Sequence, residues 1–307
     1  MKNNLGDNFE IYKIIDDKNI FVKTDDEKFT LIKTTLEQFN SGKIYKPVKG
    51  SNENRIGLTY LNNKNELMTI IEYIDSAHII VEFNDEYKFK VQTTFNNFKR
   101  GEVYNPYRRS YYGKGYLGEG YKPSRNDKVM RYWMNMLKRA YNENFINLHP
   151  TYKNCSVCEE WLNFQNFYKW FNENYYNVDD NTMCLDKDII KKGNKIYSPD
   201  NCVFVPQFIN CIFTKRDNGR GKYPIGVYKK DDKLAASCSM IDFKTKEVKR
   251  YEIGIFDNKY EAFYAYKEVK EKYIKLVAEI YKNKIPKILY EAMYNYKVEI
   301  DDWGRQC

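Results

Sequence analysis

In the run MCLDKDIIKKGNKIYSPDNCVFVPQFINCIF, from Met183 to Phe213, the residues able to do chemistry are Asp186, Lys187, Asp188, Asn201 and Asn210. A carboxylate and a carboxamide oxygen brought together are hard donors suited to Mg2+ or Mn2+, with water and a phosphate oxygen filling the remaining positions. An ion held in that way polarises a phosphodiester. Asp186 and Asn210 are the candidate ligands. The same residue types also make turns and helix caps, so a purely structural role stays open. For the pair to meet, the run must fold as strand, loop, strand and helix. Alternation places Asp186 and Asp188 on one side of the first strand and Lys187 on the other. KKGNK then forms the loop, Pro199, Asp200 and Asn201 head a second strand, and a helix starting near Pro206 carries Asn210.

The elements around this run fall into blocks. Phe21 to Pro47 (FVKTDDEKFTLIKTTLEQFNSGKIYKP) lies over Ile80 to Pro106 (IVEFNDEYKFKVQTTFNNFKRGEVYNP) at a constant offset of 59 residues. The offset pairs Val22 with Val81, Asp26 with Asp85, Phe39 with Phe98 and Gly42 with Gly101. This internal repeat predicts two small β-domains, 1–50 and 51–107, with Asp26 and Asp85 in hairpin turns. Residues 108–126 form a Gly/Tyr/Arg linker. In it Arg108, Arg109, Lys114, Lys122 and Arg125 would track a phosphate backbone, or else serve a solvated connector.

Asp127 starts an amphipathic helix with Met130, Trp133, Leu137 and Tyr141 on one stripe, leaving Arg131 and Arg139 facing solvent or DNA. In CSVCEEWLNFQNFYKWFNENYY, which begins at Cys155, the residues Trp161, Phe164, Phe167, Trp170 and Phe171 suggest a second helix packed on the first. Cys155 and Cys158 have the spacing of half a zinc knuckle, but the other half would need Cys184 and Cys202, so buried free thiols are preferred over structural zinc. After a basic Gly turn containing Arg216 and Arg220 come three strands, the first carrying Lys229 and Lys230, and a long helix from Asn258 to about Lys282. Such a sheet can lie in a DNA groove.

The chain of 307 residues carries 51 Lys and Arg against 42 Asp and Glu, and this excess points to a polyanionic partner. The 29 Tyr, 18 Phe and 4 Trp supply core packing and also rings and hydroxyls beside Lys, a surface suited to phosphate backbones. AT-rich coding would give the same composition. Seven Cys at irregular spacing fit a reducing compartment, and no apolar run suggests a membrane span or leader, so the cytoplasm is expected.

The central run resembles the HNH (ββα-metal) homing endonucleases of phages. By that resemblance Asp186 is the metal-binding Asp, Asn201 the central Asn that braces the loop, and Asn210 the ligand on the helix. The segments WMNMLKRAYN and EEWLNFQNFYKW resemble elements that precede this motif. From Tyr223 onward the chain is similar to the AP2 DNA-binding domain, through YPIGV, Ala235, IGIF and EAFYAYKEVKEKY. The fold implied is modular α+β: the two β-repeats, an HNH-like domain at 127–220, and an AP2-like domain at 221–307 with three strands, a helix and an appended C-terminal helix.

The resemblance breaks at Lys187, which stands where the family carries its general-base His. A lysine of ordinary pKa, about 10.4, is protonated at neutral pH and takes no proton from water. His78 and His149 are the only histidines, and no spacing places either in the site. The expected function is therefore DNA binding of homing-endonuclease type with a degenerate catalytic centre. One alternative is an active Mg2+- or Mn2+-dependent nicking enzyme. Another is a nuclease-derived modulator of a host defence complex, contacting protein or RNA.

Overall fold

Apolar alternation in the N-terminal repeats builds seven antiparallel strands in chain order, with no crossover. They are β1 (Phe9–Asp16), β2 (Asn19–Thr24), β3 (Leu31–Thr34), β4 (Leu58–Leu61), β5 (Leu67–Tyr73), β6 (Ile79–Phe83) and β7 (Lys90–Thr93). The structure, a computed structural model, describes residues 2–3, 6–24, 31–44, 55–213, 223–243 and 247–300. Asp26, Arg216 and Arg220 lie outside the described residues. Two units divide the chain, Met1–Arg108 and Arg109–Cys307.

The first unit differs from two separate β-domains. Strand β3 pairs with β4, Ile32 opposite Leu58, so both repeats share one sheet. The physical reason is the edge that each repeat would otherwise leave with unpaired N–H and C=O groups. The cores stay separate. Phe9, Ile20, Val22 and Ile44 form one, and their equivalents Met68, Ile79, Val81 and Val103 form the other. Each repeat also carries a short helix, α1 (Leu36–Asn40) or α2 (Phe95–Arg100), capped by Thr35 or Thr94. A left-handed glycine follows each, Gly42 at φ +68° and Gly101 at φ +69°.

The repeat extends further back than the alignment from Phe21. Buried Asn3 donates to the Ile44 carbonyl at 2.8 Å and accepts from the Asp7 N–H at 2.8 Å. Buried Asn62 does the same with the Val103 carbonyl at 3.1 Å and the Glu66 N–H at 2.9 Å. Asp85 forms the expected turn, accepting from the Tyr87 and Lys88 N–H groups at 3.0 Å each.

The second unit begins with helices α3 (Lys128–Tyr141), α4 (Glu143–Leu148), α5 (Glu159–Leu162) and α6 (Phe164–Asn174). Asp127 caps α3, its carboxylate accepting from the Met130 N–H at 2.8 Å. The buried stripe is Val129, Trp133, Met136, Leu137 and Ala140, and Met130 stands beside it. The fully buried rings of Trp133, Trp161, Phe164 and Phe167 dominate this region, each worth about 1.5–3 kcal/mol or more in transfer free energy.

The 109–126 segment packs against these helices. Gly115 leaves no room for a Cβ, which would lie 2.5 Å from Leu137 and 2.8 Å from Trp133. Tyr116 accepts from the Phe164 N–H and donates to the Leu162 carbonyl, both through its backbone at 2.9 Å. Tyr121 stacks on Tyr168.

Next come β8 (Ser156–Val157), β9 (Met183–Asp186), β10 (Ile196–Tyr197), β11 (Val203–Pro206) and α7 (Gln207–Phe213). β9 and β11 are antiparallel, whereas β10 pairs in parallel with β8. The C-terminal part is a sheet of β12 (Val227–Lys230), β13 (Lys233–Ile241) and β14 (Val248–Phe256), followed by α8 (Lys259–Tyr281) and α9 (Lys287–Tyr294). One core crosses the expected boundary near residue 220: Val205, Ile209 and Ile212 pack with Ile274, Val277, Leu289 and Met293. Gly226 holds the sheet against α8. It sits at φ +80°, and a Cβ there would be 2.1 Å from the Tyr266 ring.

Candidate functional site

The site residues lie on and around the β9–β11 hairpin, Asp186 at its loop end and Asn210 on α7, which follows its other end. Asp186 lies opposite Val203 at one end of a short ladder, and Cys184 lies opposite Val205 two positions along it. Alternation buries Met183 and Leu185 on one face and leaves Cys184 and Asp186 half-buried on the other. Two tyrosines fix the backbone beneath: the Tyr132 hydroxyl donates to the Met183 carbonyl at 2.5 Å, and that of Tyr176 to the Phe204 carbonyl at 2.6 Å. Part of the tyrosine content thus serves as interior anchors, a use that composition alone does not distinguish from phosphate contact.

The strand ends at Asp186, earlier than the alternation through Asp188 implied. The reason is local. The Asp186 carboxylate accepts from the N–H groups of Asp188 at 2.9 Å and Ile189 at 2.7 Å, which turns the chain. Asp188 therefore projects to solvent from a bend. Burial, and then the neighbouring Asp188 charge, push the Asp186 carboxyl up to about 6.

Lys187 does not face solvent. It is 7 % exposed, and its ammonium donates to the Asn194 carbonyl at 3.2 Å and to Asp188 at 3.3 Å, 5.8 Å from the centre of the Tyr197 ring. Asn194 closes the same loop in the other direction, its amide donating to the carbonyls of Lys187 and Ile196 at 2.7 Å each. Lys187 and Asn194 thus lock the 187–196 loop together. Asn201 braces a smaller feature, donating to Ser198 Oγ at 2.8 Å across the turn before β11. Asn194 was missed in sequence. Its signal was the Gly-Asn pair in a basic loop, which reads only as a turn.

Asn210 on α7 reaches the thiol of Cys184, and Asp186 and Arg139 stand near the same thiol. Cys184 is the common neighbour of the two candidate ligands. Arg139 does not face outward either. Its guanidinium lies 5.6 Å from the Tyr152 ring; burial opposes its charge, but the neighbouring Tyr152, Tyr197 and Cys184 outweigh burial and hold it more firmly than usual. Position on α3 suggested the solvent side, but the docking of β10 beside β8 encloses it.

Among the described residues no three His, Cys, Asp or Glu side chains group to hold a metal. Asp186 and Asn210 would offer one carboxylate and one amide, and a raised carboxyl is a group that a cation would stabilise in its charged form. Cys155 and Cys158 flank β8. Burial pushes the thiols of Cys155, Cys158, Cys184 and Cys202 upward, favouring the neutral form. His78 pairs with Asp75 at 3.0 Å in the first unit, and exposed His149 lies 4.4 Å from the Phe145 ring.

The expected DNA-contacting residues divide into groups. In the first unit Arg108 is half-buried. In the second unit, Arg109 is tied to Glu159 at 3.2 Å and lies over Tyr116, whereas Lys114, Lys122, Arg125 and Arg131 are exposed. On the C-terminal sheet Lys229 and Lys230 are exposed, and Lys230 binds Glu252 at 2.7 Å. The same carboxylate accepts from the Tyr228 hydroxyl at 3.0 Å. Arg250 lies 4.5 Å from the centre of the Tyr228 ring, its Nε donating to Ser237 Oγ at 2.8 Å.

No protein-family model, no curated protein and no solved structure matches this chain. No helix among the described residues is long and apolar enough to cross a membrane.

Proposed function

We propose that this protein binds double-stranded DNA through its C-terminal sheet, and that its HNH-like centre is degenerate and does not cut. The observation that supports binding is the side-chain array on β12–β14. Arg250 lies over the Tyr228 ring and is pinned through Nε, which leaves its terminal nitrogens available to a phosphate or a base edge. Glu252 is already engaged by Lys230 and Tyr228, and the lysine holds its carboxyl below the usual range. Lys229 adds exposed positive charge beside it, whereas Lys233 is paired with Asp257 at 3.1 Å and Lys249 with Asp242 at 3.4 Å.

The enclosure of Lys187 supports the degenerate centre. The side chain at the general-base position is committed to the Asn194 carbonyl, and a protonated amine accepts no proton. A second reading, a nicking endonuclease, is favoured by one arrangement: Asp186 and Asn210 both adjoin Cys184. In that reading Asp186 and Asn210 hold Mg2+ or Mn2+, which when bound polarises the scissile phosphodiester.

Incubation of supercoiled plasmid with the protein and Mg2+ or Mn2+ separates the two. The degenerate-centre reading predicts a mobility shift at low salt with the plasmid left supercoiled. Nicked product that is lost on Asp186→Ala would replace it with the nicking reading. A plasmid neither shifted nor nicked would refute both.

A further inference from the structure

A groove of about 520 Å3 lies between the 111–125 segment and α3, away from the residues of the β9–β11 hairpin. Its apolar lining is Leu117, Pro123, Met130 and Met134, which explains why Met130 is not in the buried stripe. Its polar lining includes Tyr111, Arg125, Arg131 and Asn135. Arg125 and Arg131 have neither a carboxylate partner nor a side-chain hydrogen bond among the described residues, and the Asn135 amide is equally unengaged. The Tyr111 ring stands edge-on to Trp133 at 5.0 Å, and burial alone raises its hydroxyl pKa, with no hydrogen bond contributing.

The groove thus combines two unpaired guanidinium groups with a short floor of thioethers and an aromatic edge. Paired guanidinium forks match a phosphate, and a polarisable apolar floor bordered by an amide suits a flat heterocycle with hydrogen-bonding edges. Its volume falls within the range of about 300–1,000 Å3 typical of small-ligand pockets. We propose that this groove takes a single unpaired nucleotide, its phosphate between Arg125 and Arg131 and its base against Met130 and Met134. The proposal rests on the nucleic-acid reading above but places a second contact away from the sheet, for a nucleotide that duplex DNA does not expose. The nucleotide is either free or part of a single strand.

The test uses the full chain and fluorescence anisotropy with labelled oligothymidylate, with unlabelled thymidine monophosphate and thymidine as competitors, and a labelled duplex in parallel. Arg125→Ala/Arg131→Ala should weaken oligothymidylate binding by about tenfold or more and lower its salt slope by about one. Met134→Asp should weaken it likewise, and duplex affinity should stay within about twofold in both variants. Competition by thymidine monophosphate at concentrations where thymidine fails assigns the groove to a free nucleotide. Competition by unlabelled strand alone assigns it to a residue within a strand. Oligothymidylate binding that is absent, or unchanged in both variants, while the duplex still binds overturns the groove and leaves the sheet reading intact. Failure of both DNAs to bind overturns both.

Discussion

Lys187→Ala distinguishes an interior loop lock from a phosphate contact. The substitution removes a charged hydrogen bond to the Asn194 carbonyl, worth about 1.5–3 kcal/mol where buried. The ion pair with half-exposed Asp188 adds at most about 1 kcal/mol. A loss of about 1.5–4 kcal/mol would lower the melting temperature of a unit of this size by roughly 3–15 °C. DNA affinity and its salt slope should be unchanged at a temperature where the variant is folded, since a side chain 7 % exposed has no access to a backbone phosphate. The assay pairs thermal denaturation with duplex titration over a salt series. A variant that melts like the wild type but loses affinity, with a salt slope smaller by about one, would show that Lys187 meets phosphate and that the loop geometry is wrong.

Three further outcomes are expected. Asn62→Ala strips a buried site of four hydrogen bonds and should cost the first unit about 2–4 kcal/mol in urea denaturation; a change under about 0.5 kcal/mol would refute the anchor. Gly226→Ala should destabilise the second unit by about 2–4 kcal/mol, through both its φ and the Tyr266 contact, and a wild-type melting curve would contradict this. The Asp186 carboxyl is raised from 3.8 to about 6, so the folded state binds the extra proton between those values, and the associated stability is present below 3.8 and lost as pH rises through 6. Asp186→Asn, which keeps an acceptor for the Ile189 N–H, should flatten this part of a melting-temperature profile and raise stability at pH 7 in metal-free buffer. An unchanged profile would exclude burial as the cause.

Local signals were legible and tertiary ones were not. Asp127 as a helix start, the strands of residues 227–256 and the repeat at an offset of 59 all follow from short-range pattern, and the structure contains them. Carried back to Asn3 and Asn62, with Asp7 over Glu66, the same offset would have exposed the buried amide anchors; the Asn-rich surroundings hid them. The composition of the 108–126 segment reads equally as a solvated connector, and it does not show that Gly115 is needed because Trp133 and Leu137 lie against it. Alternation alone could not show that Asp186 ends its strand by capping a turn. Nor could helical phase show that Tyr197 and Tyr152 come near Arg139, since Tyr197 is brought there by a parallel pairing between β8 and β10.

The most direct test of duplex binding through the C-terminal sheet is a salt-series titration of duplex DNA with the wild type and with Arg250→Ala/Lys230→Ala. Affinity should fall steeply with salt in the wild type, and the double variant should bind at least about tenfold more weakly, with a salt slope smaller by one to two. A flat, weak salt response in the wild type, or equal affinity and slope in the variant, would contradict it.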